Sequence, residues 1–188
     1  MERPRRFEAP ADPGGSGGAA AGKAPAAPRV PWEGVFTALV TPFDPDGKLD
    51  EKGLETLVQR QVEGGVHGLI PCGTTGEAPA LSDEEWARVI RITVEVAGEK
   101  AWVVAGTGTN NTAVTMARTA RAAEFGVDGA LVITPYYNKP TPDGLVRHYR
   151  MIAEVAPTLP LMVYNAPGRT ALNLTPDTMA RLAEIPSV

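Results

Sequence analysis

Five times between Gly34 and the last residue, a short run of aliphatic and β-branched residues gives way to a longer stretch of helical period. Alternation of this kind marks repeated βα units, because parallel strands need crossovers long enough to hold a helix. The expected strands are residues 35–40, 68–71, 102–105, 130–133 and 161–164. Between them, Leu54, Leu57, Val58, Gln61 and Val62 mark one helical face, and Trp86, Val89, Ile92 and Val96 mark another. Ser82 and Glu85 have capping-box spacing at the start of the second helix. The phrases Gly65-Val66-His67-Gly68 and Gly126-Val127-Asp128-Gly129 each lead into a strand, and glycine there suits the left-handed cap of a helix end.

Periodicity alone leaves two α/β architectures open, a doubly wound sheet and an eight-fold β/α barrel. A doubly wound nucleotide binder carries a glycine-rich phosphate turn after its first strand, whereas this first strand runs into Thr41-Pro42-Phe43. Polar clusters follow the second, third, fourth and fifth strands instead, as expected of a site assembled from many βα loops at one rim. The expected fold is therefore an α/β (β/α)8 TIM barrel over residues 31–188, of which about the first five βα units are present.

Composition narrows the partners. The net charge is -4, with Lys and Arg scattered rather than clustered, which offers no surface for nucleic acid or anionic lipid. No apolar run is long enough to cross a bilayer. The single cysteine, Cys72, excludes an internal disulfide framework and fits a reducing cytoplasm, and with only His67 and His148 a histidine metal cluster is not expected. Residues 1–30, rich in Pro, Gly and Ala, bury too little apolar surface to fold and are expected to be a disordered tail. Arg3, Arg5 and Arg6 invite a targeting reading, but no apolar segment follows, so an extension or an early start codon is the favoured expectation.

Three segments at strand ends carry groups capable of chemistry. Gly73-Thr74-Thr75-Gly76-Glu77 sets paired hydroxyls on a tight turn whose N–H groups could hold a small carboxylate, although such threonines also serve simply to satisfy a loop backbone. Thr134-Pro135-Tyr136-Tyr137-Asn138 offers phenols for proton relay, against the alternative of packing tyrosines with a wet hydroxyl. Tyr164-Asn165-Ala166-Pro167-Gly168-Arg169-Thr170 adds another strand-end phenol and a guanidinium that could grip a second carboxylate, or make a surface ion pair. Taken together they amount to anion binding plus proton transfer at one rim.

In this order and at these separations, the three segments resemble the dihydrodipicolinate synthase family of pyruvate-dependent class I aldolases, with similarity from about Gly34 to the last residue. The resemblance implies condensation of pyruvate with L-aspartate 4-semialdehyde to 4-hydroxy-tetrahydrodipicolinate, in the diaminopimelate branch of lysine biosynthesis, without metal or organic cofactor. It implies that Tyr164 exchanges protons beside a lysine Schiff base, with Thr74 and Tyr137 completing a relay. Gly73 and Thr75 would hold the pyruvate carboxylate, and Arg169 the carboxylate of the semialdehyde. Tyr137 would reach into a neighbouring subunit, implying a homodimer or homotetramer. N-acetylneuraminate lyases and 2-keto-3-deoxy sugar acid aldolases share the scaffold, but Arg169-Thr170 favours the semialdehyde over their polyol substrates.

Two departures accompany the match. The family's Schiff-base lysine lies a little over twenty residues beyond the position of Arg169, past Val188, and Lys23, Lys48, Lys52, Lys100 and Lys139 do not match it. The expectation is a truncated product, inactive by itself, with a non-catalytic remnant as the competing reading. Lysine-inhibited relatives also carry a histidine pair and a glutamate where this chain has Asp83, Trp86 and Val114, with Asn110 and Tyr136 retained. Weak sensitivity to lysine is therefore expected.

Overall fold

A computed structural model describes residues 32–188, and the expected tail, residues 1–30, lies outside the described residues. Five strands, β1 (Phe36–Ala38), β2 (Gly68–Ile70), β3 (Trp102–Gly106), β4 (Gly129–Ile133) and β5 (Leu161–Tyr164), form one sheet in the order β1-β2-β3-β4-β5. All pairings are parallel, with Ala38 beside Ile70, Gly106 beside Leu131 and Ile133 beside Tyr164. The order never reverses, so the sheet has no switch point of the doubly wound kind and follows the progression of a barrel wall. Helices α1 (Glu51–Glu63), α2 (Asp83–Ala97), α3 (Thr112–Glu124) and α4 (Pro142–Val155) make the crossovers. After β5 come one helical turn, α5 (Pro167–Thr170), and α6 (Pro176–Leu182). The backbone then returns to β5, where the Leu161 N–H donates to the Ser187 carbonyl at 2.6 Å.

Local chemistry starts and stops these helices. Asp50, Ser82, Asn111, Thr141 and Thr175 cap α1, α2, α3, α4 and α6, each side chain accepting from a first-turn N–H. The expected capping box is present, with Glu85 Oε2 accepting from the Ser82 N–H at 2.8 Å. Gly65 and Gly126 adopt φ of 79° and 78° at the ends of α1 and α3, as their place in the repeated phrase predicts. Strand limits differ from the expected ones by a residue or two. The largest difference is at β1, where Val35 and Val40 stand 60% and 50% exposed and fall outside the strand. Pro71 likewise lies beyond β2, whereas Gly106 and Gly129 extend β3 and β4.

The two faces of the sheet take different roles. Ala130 and Val132 of β4 turn toward the helices and are fully buried, and the buried Tyr149 of α4 donates its hydroxyl to the Val132 carbonyl at 2.8 Å. Leu131 and Ile133, one residue out of phase, turn to the other face and line a cavity. On the helical side Trp86 of α2 is fully buried, and its indole N–H donates to the Gly106 carbonyl at 2.9 Å, tying α2 to the end of β3. Among the described residues no helix is long and apolar enough to cross a membrane.

His148 joins α4 to α3. It is 4% exposed, with Nδ1 2.9 Å from the Thr112 hydroxyl, and among the described residues Nε2 has no partner. Desolvation lowers its pKa from 6.5 to about 4. The unfolded chain therefore binds the imidazole proton more readily, so the neutral side chain's contribution is complete above pH 6.5 and is lost as pH falls toward about 4. Urea unfolding at stepped pH should show this loss, of roughly 3 kcal/mol in full. A His148→Gln variant should lack that part of the pH dependence; an identical profile in both proteins would contradict the assignment.

Candidate active site

Because every strand runs the same way, the C-terminal ends of β2, β3, β4 and β5 open on one rim. A cavity of about 370 Å³ lies there. Its wall from β2 begins at Cys72, whose φ of 54° swings the chain into the Gly73–Glu77 turn. That turn is closed by the Gly76 N–H on the Gly73 carbonyl at 3.1 Å and the Glu77 N–H on the Thr74 carbonyl at 3.2 Å. The buried Thr41 hydroxyl donates to the Gly76 carbonyl at 2.7 Å and holds the loop down. A side chain at Gly76 would press on the Leu39 carbonyl at 3.0 Å. Among the described residues, the amides and hydroxyls of Thr74 and Thr75 have no hydrogen-bond partner, which leaves donors free for an anion.

β3 contributes by having almost no side chains at its end. A Cβ on Gly106 would collide with the Cys72 carbonyl, and one on Gly108 with the Ile133 amide, so these glycines let neighbouring strands close up beneath the cavity. From β5, the half-buried Tyr164 enters the wall at the strand end. Asn165 then ties down the following loop through the Asn173 carboxamide at 2.9 Å and the Leu174 N–H at 3.2 Å. Pro167 starts α5, and that turn carries Arg169 to the cavity; the sequence suggested a loop at this point.

The structure thus brings Gly73, Thr74, Tyr164 and Arg169 to one cavity. It does not bring Thr75 or Tyr137 there. Thr75, exposed like its neighbour Thr74, is not in the cavity wall, and Tyr137 projects outward with 89% of its surface exposed while Tyr136 takes the place in the wall. Arg118 of α3, which local sequence pattern did not single out, also lines the cavity. Its guanidinium donates to Asp83 Oδ1 at 2.8 and 3.2 Å and lies 5.4 Å from the Trp86 ring centroid. No short-range signal could reveal it, since Asp83 is 35 residues away. Among the described residues, two guanidinium groups and no carboxylate line the cavity, so its field favours anions. None of Lys48, Lys52, Lys100 and Lys139 lines it.

A family model described as "Dihydrodipicolinate synthetase family" matches residues 31–188. The chain belongs to that family. A 4-hydroxy-tetrahydrodipicolinate synthase of Thermodesulfovibrio yellowstonii is 50% identical over 157 residues, 84% of this chain and 53% of the relative. A crystal structure of the chloride-inhibited dihydrodipicolinate synthase of Acinetobacter baumannii complexed with pyruvate is 48% identical. It superposes with a TM-score of 0.80 over 82% of this chain and 53% of that one. The enzyme of Cyanidioschyzon merolae with lysine bound is 42% identical, with a TM-score of 0.79 over 81% and 52% of the two chains. The chain therefore spans about half the length of the relatives it matches, and its five βα units form part of a TIM barrel.

Cys72 sits in the cavity wall but is only 2% exposed, with Sγ 3.9 Å from the Trp86 carbonyl. Burial pushes its thiol up to about 12, against a smaller opposing pull from Arg118. At pH 8 the native chain should not react with an aromatic disulfide reagent, and its one thiol should titrate only after denaturation. Rapid labelling of the folded protein would show that the sulfur is accessible.

Proposed function

We propose that this chain carries the substrate-anchoring and proton-transfer half of a 4-hydroxy-tetrahydrodipicolinate synthase site, which condenses pyruvate with L-aspartate 4-semialdehyde. The observation that carries the reading is the convergence of the Thr74 turn, Tyr164 and Arg169 on one cavity whose wall, among the described residues, holds no carboxylate. Both substrates are carboxylates. The free donors of Thr74 suit the smaller one, and Arg169, unpaired among the described residues, suits the second. Polyol substrates would leave that guanidinium without a counter-charge, which argues against a sugar acid aldolase.

The Tyr164 phenol lines the same cavity as Thr74 and Arg169, where it would exchange protons with the pyruvate carbonyl oxygen as an amine adds and water leaves. Thr74, in the wall of the same cavity, would pass the proton on. Tyr137 belongs to this relay only across an interface between copies of the chain, consistent with its outward projection, so a homodimer or larger assembly is part of the reading. The amine of the family chemistry has no counterpart among the lysines of the described residues. The proposed setting is the reducing cytoplasm.

The test joins the full chain to the remaining half of the Thermodesulfovibrio yellowstonii relative and follows consumption of both substrates. The joined protein should turn over. Tyr164→Phe should lower kcat by about a hundredfold, as loss of a proton-transfer group does. Arg169→Ala should raise KM for the semialdehyde by about a hundredfold and leave that for pyruvate nearly unchanged. Turnover of sugar acids in preference to the semialdehyde would overturn the reading.

Arg118 also bears on regulation. Its guanidinium fills the space over Trp86 and beside Asp83, so an incoming ammonium meets a cation already in place. L-lysine should therefore inhibit the joined enzyme weakly. Half-inhibition well below about 1 mM in initial-rate assays would contradict this.

A further inference from the structure

The Tyr137 phenol makes no contact that could aim it: it is 89% exposed, and among the described residues its side chain has no hydrogen bond or ring neighbour. Its direction is set by the backbone alone. That backbone is strained, since Tyr137 and Lys139 hold φ of 66° and 46°, a region residues with a Cβ rarely occupy. The Asn138 N–H donates to the Tyr136 carbonyl at 2.7 Å, closing a three-residue turn around Tyr137 of the uncommon positive-φ hand. Such a turn persists only where its surroundings over-determine it.

The surroundings are supplied by one side chain. Asn138 Nδ2 donates to the Asn110 carbonyl at 2.7 Å, and Asn138 Oδ1 lies 3.4 Å from Asn110 Nδ2, linking the loop after β4 to the loop after β3. The receiving loop is itself fixed. Thr115 Oγ1 accepts from the Thr109 N–H at 2.9 Å, Thr109 Oγ1 accepts from the Asn111 N–H at 3.0 Å, and Asn111 caps α3. On the far side, Thr141 caps α4 two residues after Lys139 and ends the rim loop. Between those anchors the Asn138 carboxamide is the cross-loop tie that holds the turn.

We propose that Asn138 is a positioning residue for Tyr137, clamping the rim loop after β4 onto the Asn110 carbonyl so that the phenol is held in its outward, strained direction. The catalytic part of this inference rests on the relay role given to Tyr137 above; the clamp itself does not. Asn138 touches no reacting atom and acts through the backbone of its neighbour.

Two measurements separate these claims. In the 188-residue chain, initial chymotryptic cleavage after Tyr136 and Tyr137 is followed by mass spectrometry for wild type, Asn138→Ala and Asn138→Asp. Aspartate keeps the size and the acceptor but loses the Nδ2 donor. Both variants should be cut roughly tenfold faster, the factor one hydrogen bond commands, with the thermal midpoint nearly unchanged. Cleavage at the wild-type rate would overturn the clamp. In the joined enzyme, both variants should lose kcat roughly tenfold while KM for either substrate stays within about twofold, a split that general destabilisation does not produce. If Tyr137→Phe slows that enzyme but Asn138→Ala does not, positioning by Asn138 is refuted and the relay stands. If Tyr137→Phe leaves kcat intact, the relay role of Tyr137 is refuted instead, and the cleavage result still decides the clamp.

Discussion

The Cys72 carbonyl occupies the space where a side chain on Gly106 would stand, and the rim is organised around that close approach of β2 to β3. The Gly106 N–H donates to the Pro71 carbonyl at 2.9 Å, and its own carbonyl receives the Trp86 indole N–H at the same distance. One residue thus fastens the end of β2, the end of β3 and the first turn of α2. With both strand ends fixed, the chain leaving Cys72 turns sharply, and the turn spends the Gly76 and Glu77 N–H groups on its own closure while leaving those of Thr74 and Thr75 free among the described residues. Close packing of backbone leaves the floor without room to shift, which is the condition for a site whose donors must not move.

The two arginines of the cavity have different freedom. Arg118 is held by Asp83 and by the Trp86 face, with only 12% of its side chain exposed, so it acts as a fixed positive wall. Arg169 rides on a single helical turn after β5, is exposed, and has no ion pair among the described residues. A fixed cation sets the field of a cavity, whereas a free one can be spent on a substrate carboxylate. The same division separates the tyrosines: Tyr164 is anchored at a strand end, and Tyr137 stands on a strained loop pointing away from its own cavity.

Much of the site could be read in one dimension because its members sit where strands end. Strand periodicity located β2 and β5 closely, and the residues just beyond them, Gly73, Thr74 and Tyr164, follow from the rule that parallel barrels keep their chemistry at one rim. Arg169 was legible as a guanidinium a few residues past a strand, although not as part of a helical turn. Gly106 and Gly108 escaped notice because their importance lies in what passes over them. Arg118 escaped because its partners Asp83 and Trp86 belong to another helix.

By itself the sequence determined the kind and order of elements, the caps that begin the helices and the left-handed glycines that end two of them, since these depend on residues within a few positions of one another. Only the tertiary structure decided which of two adjacent tyrosines enters the cavity and that Thr75 stays outside it. It also decided that a second arginine shares the wall and that one asparagine spans two loops. Those outcomes depend on distances between segments that pattern does not encode: a shift of one position along a strand or loop exchanges one face for the other, and long-range packing makes that choice.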